Sequence, residues 1–206
     1  MRPAIVLLGW PRVEGRENLT GCREPVLIVC NHIDDVDPGF VLTALPARYR
    51  HRLAVATGGE TLQSYRTPPA GTPFLKRHYM QFKWLLAATL LNLFPLPRAA
   101  GLQKSFAYAG RCIDKGYSVL VFPEGHHTKD GRPLPFRAGV GLLATQLGVP
   151  VLPMRIDGLF EVKQSGRKFA APWSICVRIG MPMRFDSTKD PREIAKELEQ
   201  AVSALA

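Results

Sequence analysis

Short apolar runs of strand length recur along the chain, and segments with helical periodicity lie between them. The clearest runs are PVLIVC (25–30), YSVLVF (117–122) and VPVLPMRI (149–156), which are almost continuously apolar. Strands of this kind are covered on both faces, as in parallel sheets that carry helices on either side. The order of elements therefore predicts an α/β fold, a single domain with a mixed, largely parallel sheet flanked by helices.

Further elements fit the same alternation. LAVAT (53–57) and WSICVRIG (173–180) predict two more strands. A C-terminal helix is well marked, because Asp190 suits an N-cap and Pro191 suits the first helical position. Other helices are predicted at 38–45, 101–116 and 138–148.

The length of the chain favours one unit. With 206 residues it is long enough to bury a substantial core, and we predict a single domain over residues 1–206. MRPAIVLLGW (1–10) is not followed by a convincing cleavage site, so we expect no signal peptide and a cytoplasmic domain. The four cysteines lack CxxC spacing, which predicts neither a zinc site nor a disulfide framework.

The charge balance is basic, with 27 Lys and Arg against 17 Asp and Glu and a formal net charge of +10. Such a surface attracts phosphate, which nucleic acids, anionic bilayers and small acidic substrates all carry. No zinc-finger, helix-turn-helix or recognisable RNA-binding motif occurs, so we expect no nucleic-acid partner. A non-catalytic basic phosphate-binding module stays as an alternative to an enzyme.

The apolar segment WLLAATLLNLFPLP (84–97) follows the basic stretch FLKRHYMQFKW (74–84). It is shorter than the roughly 20 apolar residues that cross a bilayer, and it contains an asparagine and two prolines. Two interpretations stay open from periodicity. The segment is either a helix at the headgroups of an anionic membrane, with Trp84 and Leu85 inserted, or a core helix with a solvated basic flank.

NHIDDVD (31–37) places His32 just after a predicted strand and Asp37 five positions later. In a strand-to-helix turn this spacing allows Asp37 to accept a hydrogen bond from one ring nitrogen, which leaves the other as a base. The acids also fit a plain helix start. A calcium site is weakly supported, because no glycine-bearing calcium loop follows.

No enzyme nucleophile accompanies this pair. The chain has no GxSxG motif and no cysteine next to His32, so a covalent intermediate has no obvious carrier. The base would then activate a substrate hydroxyl or water, and both transfer to an alcohol and thioester hydrolysis stay open. Arg98 and Glu124 are candidate positioning groups: Arg98 as a cation for a phosphate, and Glu124 as a carboxylate that could hold a hydroxyl or orient that cation.

Several motifs occur in a distinctive order: VEGRENLTG (13–21), NHIDDVD, FPLPR (94–98), VFPEGHHT (121–128) and VPVLPMRIDG (149–158). In this order they resemble the lysophospholipid acyltransferase family, typified by 1-acylglycerol-3-phosphate acyltransferases. The resemblance runs from about Val13 to Arg184. PFRAGVGLLA (135–144) is similar to acyltransferase domains fused to acyl-activating ligases, so the chain could be part of a longer fusion.

The resemblance implies a glycerolipid acyltransferase-like fold and direct transfer of a fatty acyl group. The donor would be an acyl-CoA or an acyl carrier protein thioester, and the acceptor the free hydroxyl of a lysophospholipid such as 1-acylglycerol-3-phosphate. No metal or other cofactor is implied. The expected location is the cytoplasmic face of a membrane, as a peripheral protein, or solution for an isolated domain.

The resemblance also implies residue roles. His32 would be the general base and Asp37 would orient it. The third motif usually continues with threonine, arginine and serine, whereas His126, His127 and Thr128 follow Gly125 here, so an imidazole replaces a cation. Arg98, Glu124 and Gly125 would bind the acceptor and its phosphate, and Pro153, in the fourth motif, would take part in binding the acyl donor. His127 is also expected to bind substrate.

Overall fold

A seven-stranded sheet organises the chain. The structure is a computed structural model that describes residues 10–23, 25–59, 63, 66–96, 102–128, 130–166, 171 and 173–206. The strands are β1 (Arg12–Glu14), β2 (Leu27–Cys30), β3 (Leu53–Gly58), β4 (Leu93–Leu96), β5 (Ser118–Val121), β6 (Val151–Asp157) and β7 (Cys176–Ile179).

The strand order in the sheet is β1-β7-β6-β2-β5-β3-β4, which places β2 in the middle. Strands β2 to β6 all run in one direction, whereas β7 pairs antiparallel with β6 and β1 pairs parallel with β7. The predicted mixed, largely parallel sheet is therefore confirmed. Strand β1, with only three residues, was not predicted.

Helices connect the strands and cover both faces of the sheet. The final helix starts as predicted, because the Asp190 side chain accepts a hydrogen bond from the backbone N–H of Arg192 and Pro191 is the first helical residue. The helices are α1 (Asp37–Ala44), α2 (Ala47–Arg50), α3 (Phe74–Leu91), α4 (Leu102–Asp114), α5 (Gly139–Leu147), α6 (Leu159–Gln164) and α7 (Pro191–Ser203).

The core has two halves, one on each face of the sheet. Along β2, Ile28 and Cys30 pack on the face covered by α1, whereas Leu27 and Val29 pack on the face covered by α4, α5 and α7. All four residues of β2 are fully buried. Burial on both faces explains the uninterrupted apolar run, because the period-two alternation of a strand directs every residue into one half or the other.

The segment predicted at 84–97 is divided between two elements. Helix α3 begins at Phe74, includes the basic stretch and ends at Leu91, after which Asn92 adopts a left-handed φ of 46° and β4 begins. The single-segment prediction is therefore wrong in its boundaries, and position 97 lies outside the described residues. Pro95 fits β4 because this strand is at the edge of the sheet.

Candidate functional site

His32 and Asp37 form a hydrogen-bonded pair just beyond the end of β2. The Nδ1 atom of His32 lies 2.8 Å from Oδ2 of Asp37. An ionised carboxylate is only an acceptor, so this contact requires a proton on Nδ1 and leaves Nε2 as the basic ring nitrogen. The pairing predicted from the NHIDDVD spacing is present in the structure.

The turn between β2 and α1 holds the carboxylate in place. Oδ2 of Asp37 also accepts hydrogen bonds from the backbone N–H groups of Ile33, at 2.6 Å, and Asp34, at 3.0 Å. Asp37 is fully buried and is the first residue of α1. Its other oxygen, Oδ1, is buried without a hydrogen-bond partner among the described residues, so the bonds that orient the carboxylate all converge on Oδ2.

Aromatic side chains enclose the His32 ring. Phe122 stacks on it with ring centroids 4.4 Å apart, and His127 approaches edge-on with centroids 4.1 Å apart. The His32 side chain is 19% exposed. These contacts fix the plane of the imidazole while one part of it stays accessible.

Glu124 ties the end of β2 to the loop beyond β5. Its Oε1 accepts from the backbone N–H of His32 at 2.9 Å, and its Oε2 accepts from the backbone N–H of Leu134 at 2.9 Å. The residue is only 3% exposed. The carboxylate that was expected to hold a substrate hydroxyl or orient a cation therefore bonds the main chain with both oxygens, and its contact with His32 is through the backbone.

Asn31 provides a second anchor for the same turn. Its side-chain amide donates to the carbonyl oxygen of Ile156 at 2.9 Å and accepts from the N–H of Ile156 at 2.8 Å. This pair of bonds joins the end of β2 to β6. The sequence analysis did not single out Asn31, although its place directly before His32 in NHIDDVD was a usable signal.

A cavity of about 430 Å³ opens beside the pair, within the usual size range for small-ligand pockets. The ends of the parallel strands β3, β4 and β5 contribute to it, as expected where loops leave a parallel sheet. Its lining residues are His32, Asp35, Pro38, Ala56, Thr57, Gly58, Leu96, Phe106, Val121, Phe122, Pro123, Gly125, His126, His127, Arg137, Gly139, Val140 and Leu143.

Arg137 is the residue of this cavity that the sequence analysis missed. It is the one Lys or Arg among the lining residues that the structure describes, and its guanidinium lies against Gly125, whose φ is 72°. Gly125 needs its glycine here, because a Cβ would lie 2.9 Å from Nε of Arg137 and φ is in the left-handed region. The arginine was visible in PFRAGVGLLA, but only the fold brings it beside Gly125.

Burial changes the titration of two site residues. Desolvation raises the pKa of Glu124, although its two backbone hydrogen bonds act in the opposite direction. Desolvation and the neighbouring His32 lower the pKa of His127, while Asp35, whose Oδ1 lies 3.6 Å from Nε2 of His127, raises it. The net shift favours a neutral imidazole at position 127.

The remaining predicted site residues do not all lie together. Gly125 and His127 line the cavity with His32. Pro153 lies inside β6, buried and paired with Val29, and it does not line the cavity. Its predicted role in donor binding has no support from the cavity, because the residue is buried within the sheet and does not reach the lining. Arg98 lies outside the described residues.

Chemically, the arrangement can remove a proton from a hydroxyl group bound in an apolar cavity, with Nε2 of His32 as acceptor and Asp37 supporting the charge that develops on the ring. Among the residues that the structure describes, no group of His, Cys, Asp and Glu side chains could hold a metal ion. No helix in the described ranges is long and apolar enough to span a bilayer.

Comparison with known proteins gives a family match. Residues 11–157 match the model of the Acyltransferase family. The chain is 37% identical over 187 residues to a 1-acyl-sn-glycerol-3-phosphate acyltransferase of Limnanthes douglasii, covering 88% of this chain and 58% of the relative. It is 29% identical over 157 residues to the chloroplastic enzyme BAT2 of Brassica napus, covering 75% of this chain and 39% of the relative.

Both alignments leave much of the relatives unmatched, so the chain spans less than two thirds of the length of these relatives. A solved structure, the 1-acyl-sn-glycerophosphate acyltransferase PlsC from Thermotoga maritima, aligns with 97% of this chain and 73% of its own length, with a TM-score of 0.64 and 24% identity. This similarity confirms the fold. The similarity to ligase-fused domains stays a prediction.

Proposed function

The chain belongs to the Acyltransferase family, and from this premise we propose that it transfers a fatty acyl group from a thioester donor to the free hydroxyl of 1-acylglycerol-3-phosphate. The observation that carries the proposal is the contact of 2.8 Å between His32 and Asp37 beside the cavity. The proposed acceptor is the one that gives the relatives their name, 1-acyl-sn-glycerol-3-phosphate acyltransferase. The donor is an acyl-CoA or an acyl carrier protein thioester.

In the proposed mechanism, Nε2 of His32 removes the proton as the acceptor oxygen attacks the carbonyl carbon of the thioester. The Asp37 carboxylate, which bonds Nδ1, stabilises the imidazolium. The carbon–sulfur bond then breaks, the thiolate leaves, and the proton on Nε2 neutralises it. The products are the diacylated phospholipid and the free thiol, so atoms and charge balance without an enzyme-bound acyl group.

The test measures thiol release from acyl-CoA with and without 1-acylglycerol-3-phosphate. We expect release to depend on the acceptor, and His32→Ala to lower the transfer rate about 100-fold to 10,000-fold. Asp37→Asn should also lower the rate by orders of magnitude, because the neutral amide lacks the negative charge that stabilises the imidazolium. His51→Ala, at an exposed histidine away from the cavity, is the matched control and should keep the wild-type rate.

Two outcomes would contradict this mechanism. Near-normal transfer by a folded His32→Ala variant would remove the assigned base. Thiol release that is unchanged when the acceptor is omitted would instead identify a thioesterase, which uses water in the place of the alcohol.

We further propose that the protein works as a peripheral protein on the cytoplasmic face of an anionic membrane, with α3 as the contact. The support is an exposed side of α3 on which large apolar groups recur at helical spacing, among them Leu75, Tyr79 and Phe82, which are 82%, 62% and 57% exposed. Lys76 and Arg77 are exposed on the same helix. Apolar groups flanked by cations suit the headgroup region of an acidic bilayer.

The position of α3 suits delivery of a lipid to the cavity. The helix contacts β3 and β4, and Gly58 and Leu96, the last residues of those strands, line the cavity. A lipid in the bilayer below α3 would therefore have a short path to His32.

A further inference from the structure

We propose that Arg137 binds the phosphate of the acceptor and so selects phosphorylated lysolipids over neutral ones. The inference rests on the proposed function and names a binding residue outside the five motifs that carry the resemblance to lysophospholipid acyltransferases. It follows from the charge inventory of the cavity, from the contact of Arg137 with Gly125, and from the chemistry of the acceptor.

The charge inventory leaves Arg137 as the permanent cation. The other titratable residues that line the cavity are three histidines and Asp35, none of which carries a permanent positive charge; they are His32, which is the base, Asp35, which lies beside His127, and His126. The pKa of His127 is lowered, which favours the neutral form of that imidazole near neutral pH. A phosphate that enters the part of the cavity described by the structure therefore meets one guanidinium.

The local contacts make this guanidinium available. No hydrogen bond or ion pair of the Arg137 side chain is seen among the described residues, and the residue is exposed. It lies against Gly125, next to Glu124, which bonds the backbone of His32. Arg137 also lies two residues before α5, whose N-terminal residues Gly139 and Val140 line the same cavity. The partial positive charge at a helix N-terminus adds to the attraction for an anion.

The geometry of the acceptor favours its phosphate as the ligand. In 1-acylglycerol-3-phosphate, the carbon with the free hydroxyl is bonded to the carbon that carries the phosphate. A hydroxyl at His32 therefore keeps the phosphate inside the same cavity. The phosphates of coenzyme A are separated from the thioester by the whole pantetheine arm, so a thioester at His32 lies much farther from its own phosphates than the acceptor hydroxyl lies from its phosphate. A planar guanidinium can form two parallel hydrogen bonds to a phosphate.

The experiment compares wild type, Arg137→Ala and Arg137→Lys on two acceptors, 1-acylglycerol-3-phosphate and the monoacylglycerol with the same acyl chain. We expect Arg137→Ala to raise KM for the phosphorylated acceptor about 10-fold to 100-fold, the usual effect of losing a hydrogen bond to a charged group. The monoacylglycerol should show no change. Arg137→Lys should show a smaller rise in KM than Arg137→Ala, because lysine keeps the positive charge but lacks the paired donors of the guanidinium.

Controls separate the local effect from general electrostatics. Arg184→Ala removes one exposed positive charge outside the cavity and should leave both KM values unchanged. Thermal unfolding of each variant checks the fold. Each assay is repeated with an acyl-pantetheine donor, which lacks phosphates.

The outcomes are distinct. An unchanged KM for the phosphorylated acceptor in Arg137→Ala overturns the proposal, and so does a loss that disappears with acyl-pantetheine, which would assign Arg137 to the donor. Equilibrium binding of both lysolipids to wild type and Arg137→Ala is measured in parallel. If wild type acylates neither acceptor, the proposed function fails. The Arg137 assignment is tested separately by binding: it is overturned if Arg137→Ala binds the phosphorylated lysolipid as tightly as wild type does.

Discussion

At the scale of single residues, Glu124 is the most constrained side chain of the site apart from the His32–Asp37 pair. Both of its oxygens accept backbone N–H groups, from His32 and Leu134. Glu124→Gln places an NH₂ group opposite one of these donors, so one buried N–H loses its partner. We expect the variant to lose about 1–3 kcal/mol of unfolding free energy in urea titrations.

The same assay on Glu161→Gln provides the comparison, because Glu161 is exposed on α6 and its replacement should be close to neutral. If Glu124→Gln unfolds at the wild-type urea concentration, the two hydrogen bonds do not hold the turn as described.

His127 should give the folded protein a pH-dependent stability. Its pKa in the folded state is lowered by burial and by His32. In an unfolded chain the usual pKa of histidine is about 6.5. At a pH between these two values, the unfolded state therefore binds a proton that the folded state does not. The part of the unfolding free energy that depends on a neutral His127 is therefore fully present above about pH 6.5 and is lost as the pH falls from there towards the lowered pKa.

We expect the urea midpoint of His127→Gln to fall less than that of wild type between about pH 7.5 and pH 5.5. Comparing the two proteins cancels the titration of the groups they share. An identical decrease in both would show that the folded state does not disfavour the His127 proton.

At the scale of elements, the contact between α5 and α7 depends on a missing side chain. A Cβ at Gly141 would lie 1.9 Å from the carbonyl oxygen of Pro191, the first residue of α7. Gly141→Ala should therefore separate the two helices and lower the unfolding free energy by about 1–3 kcal/mol.

Gly110 on α4 offers the matched substitution, since a Cβ there would meet nothing within 4 Å. Gly110→Ala should raise the unfolding free energy by about 0.5–1 kcal/mol through helix propensity. Thermal and urea unfolding of both variants should show shifts of opposite sign. An increase in stability for both variants would mean that helix propensity, not helix contact, decides the effect at Gly141.

Elements with a local signal were predictable from the sequence. The buried run of β2 and the Asp190–Pro191 start of α7 carry their signals in adjacent residues. The boundary between α3 and β4 was missed because residues 84–97 are mostly apolar, and an apolar run does not show whether its residues pack at a helical or a strand period. The change occurs at Asn92, in a left-handed conformation that only the backbone reveals.

The site was predictable where its residues are neighbours in the chain. His32 and Asp37 fall in one turn, so their spacing was informative. Other contacts of the site join residues that are far apart in the chain. Glu124 bonds the backbone of His32 and Leu134, and Arg137 approaches Gly125. No local sequence pattern encodes such contacts. The placement of Pro153 inside β6 likewise depends on the register of β6 with β2.

At the scale of the whole molecule, the net charge of +10 and the exposed apolar side of α3 should act together. We expect the protein to bind vesicles that contain acidic phospholipids better than neutral vesicles, and the binding to weaken with salt. A Leu75→Ala and Phe82→Ala double variant should bind acidic vesicles about 10-fold less tightly or weaker still, because both side chains are largely exposed in the folded chain.

The matched control is a Leu142→Ala and Met181→Ala double variant, which removes exposed apolar groups elsewhere on the chain. Its vesicle binding in co-sedimentation assays should equal that of wild type. Equal losses in the two double variants would mean that membrane binding is not localised to α3.

The middle position of β2 in the sheet affects the order in which the protein loses structure and activity on heating. Three strands lie on each side of β2, so fraying that begins at the outer strands must progress through several ladders before it disturbs His32. Turnover measured at rising temperature should therefore outlast loosening of β1, at the edge that does not line the cavity, and should end when β4, whose Leu96 lines it, separates from β3. Loss of catalysis would then report the state of one edge of the sheet and not of the other.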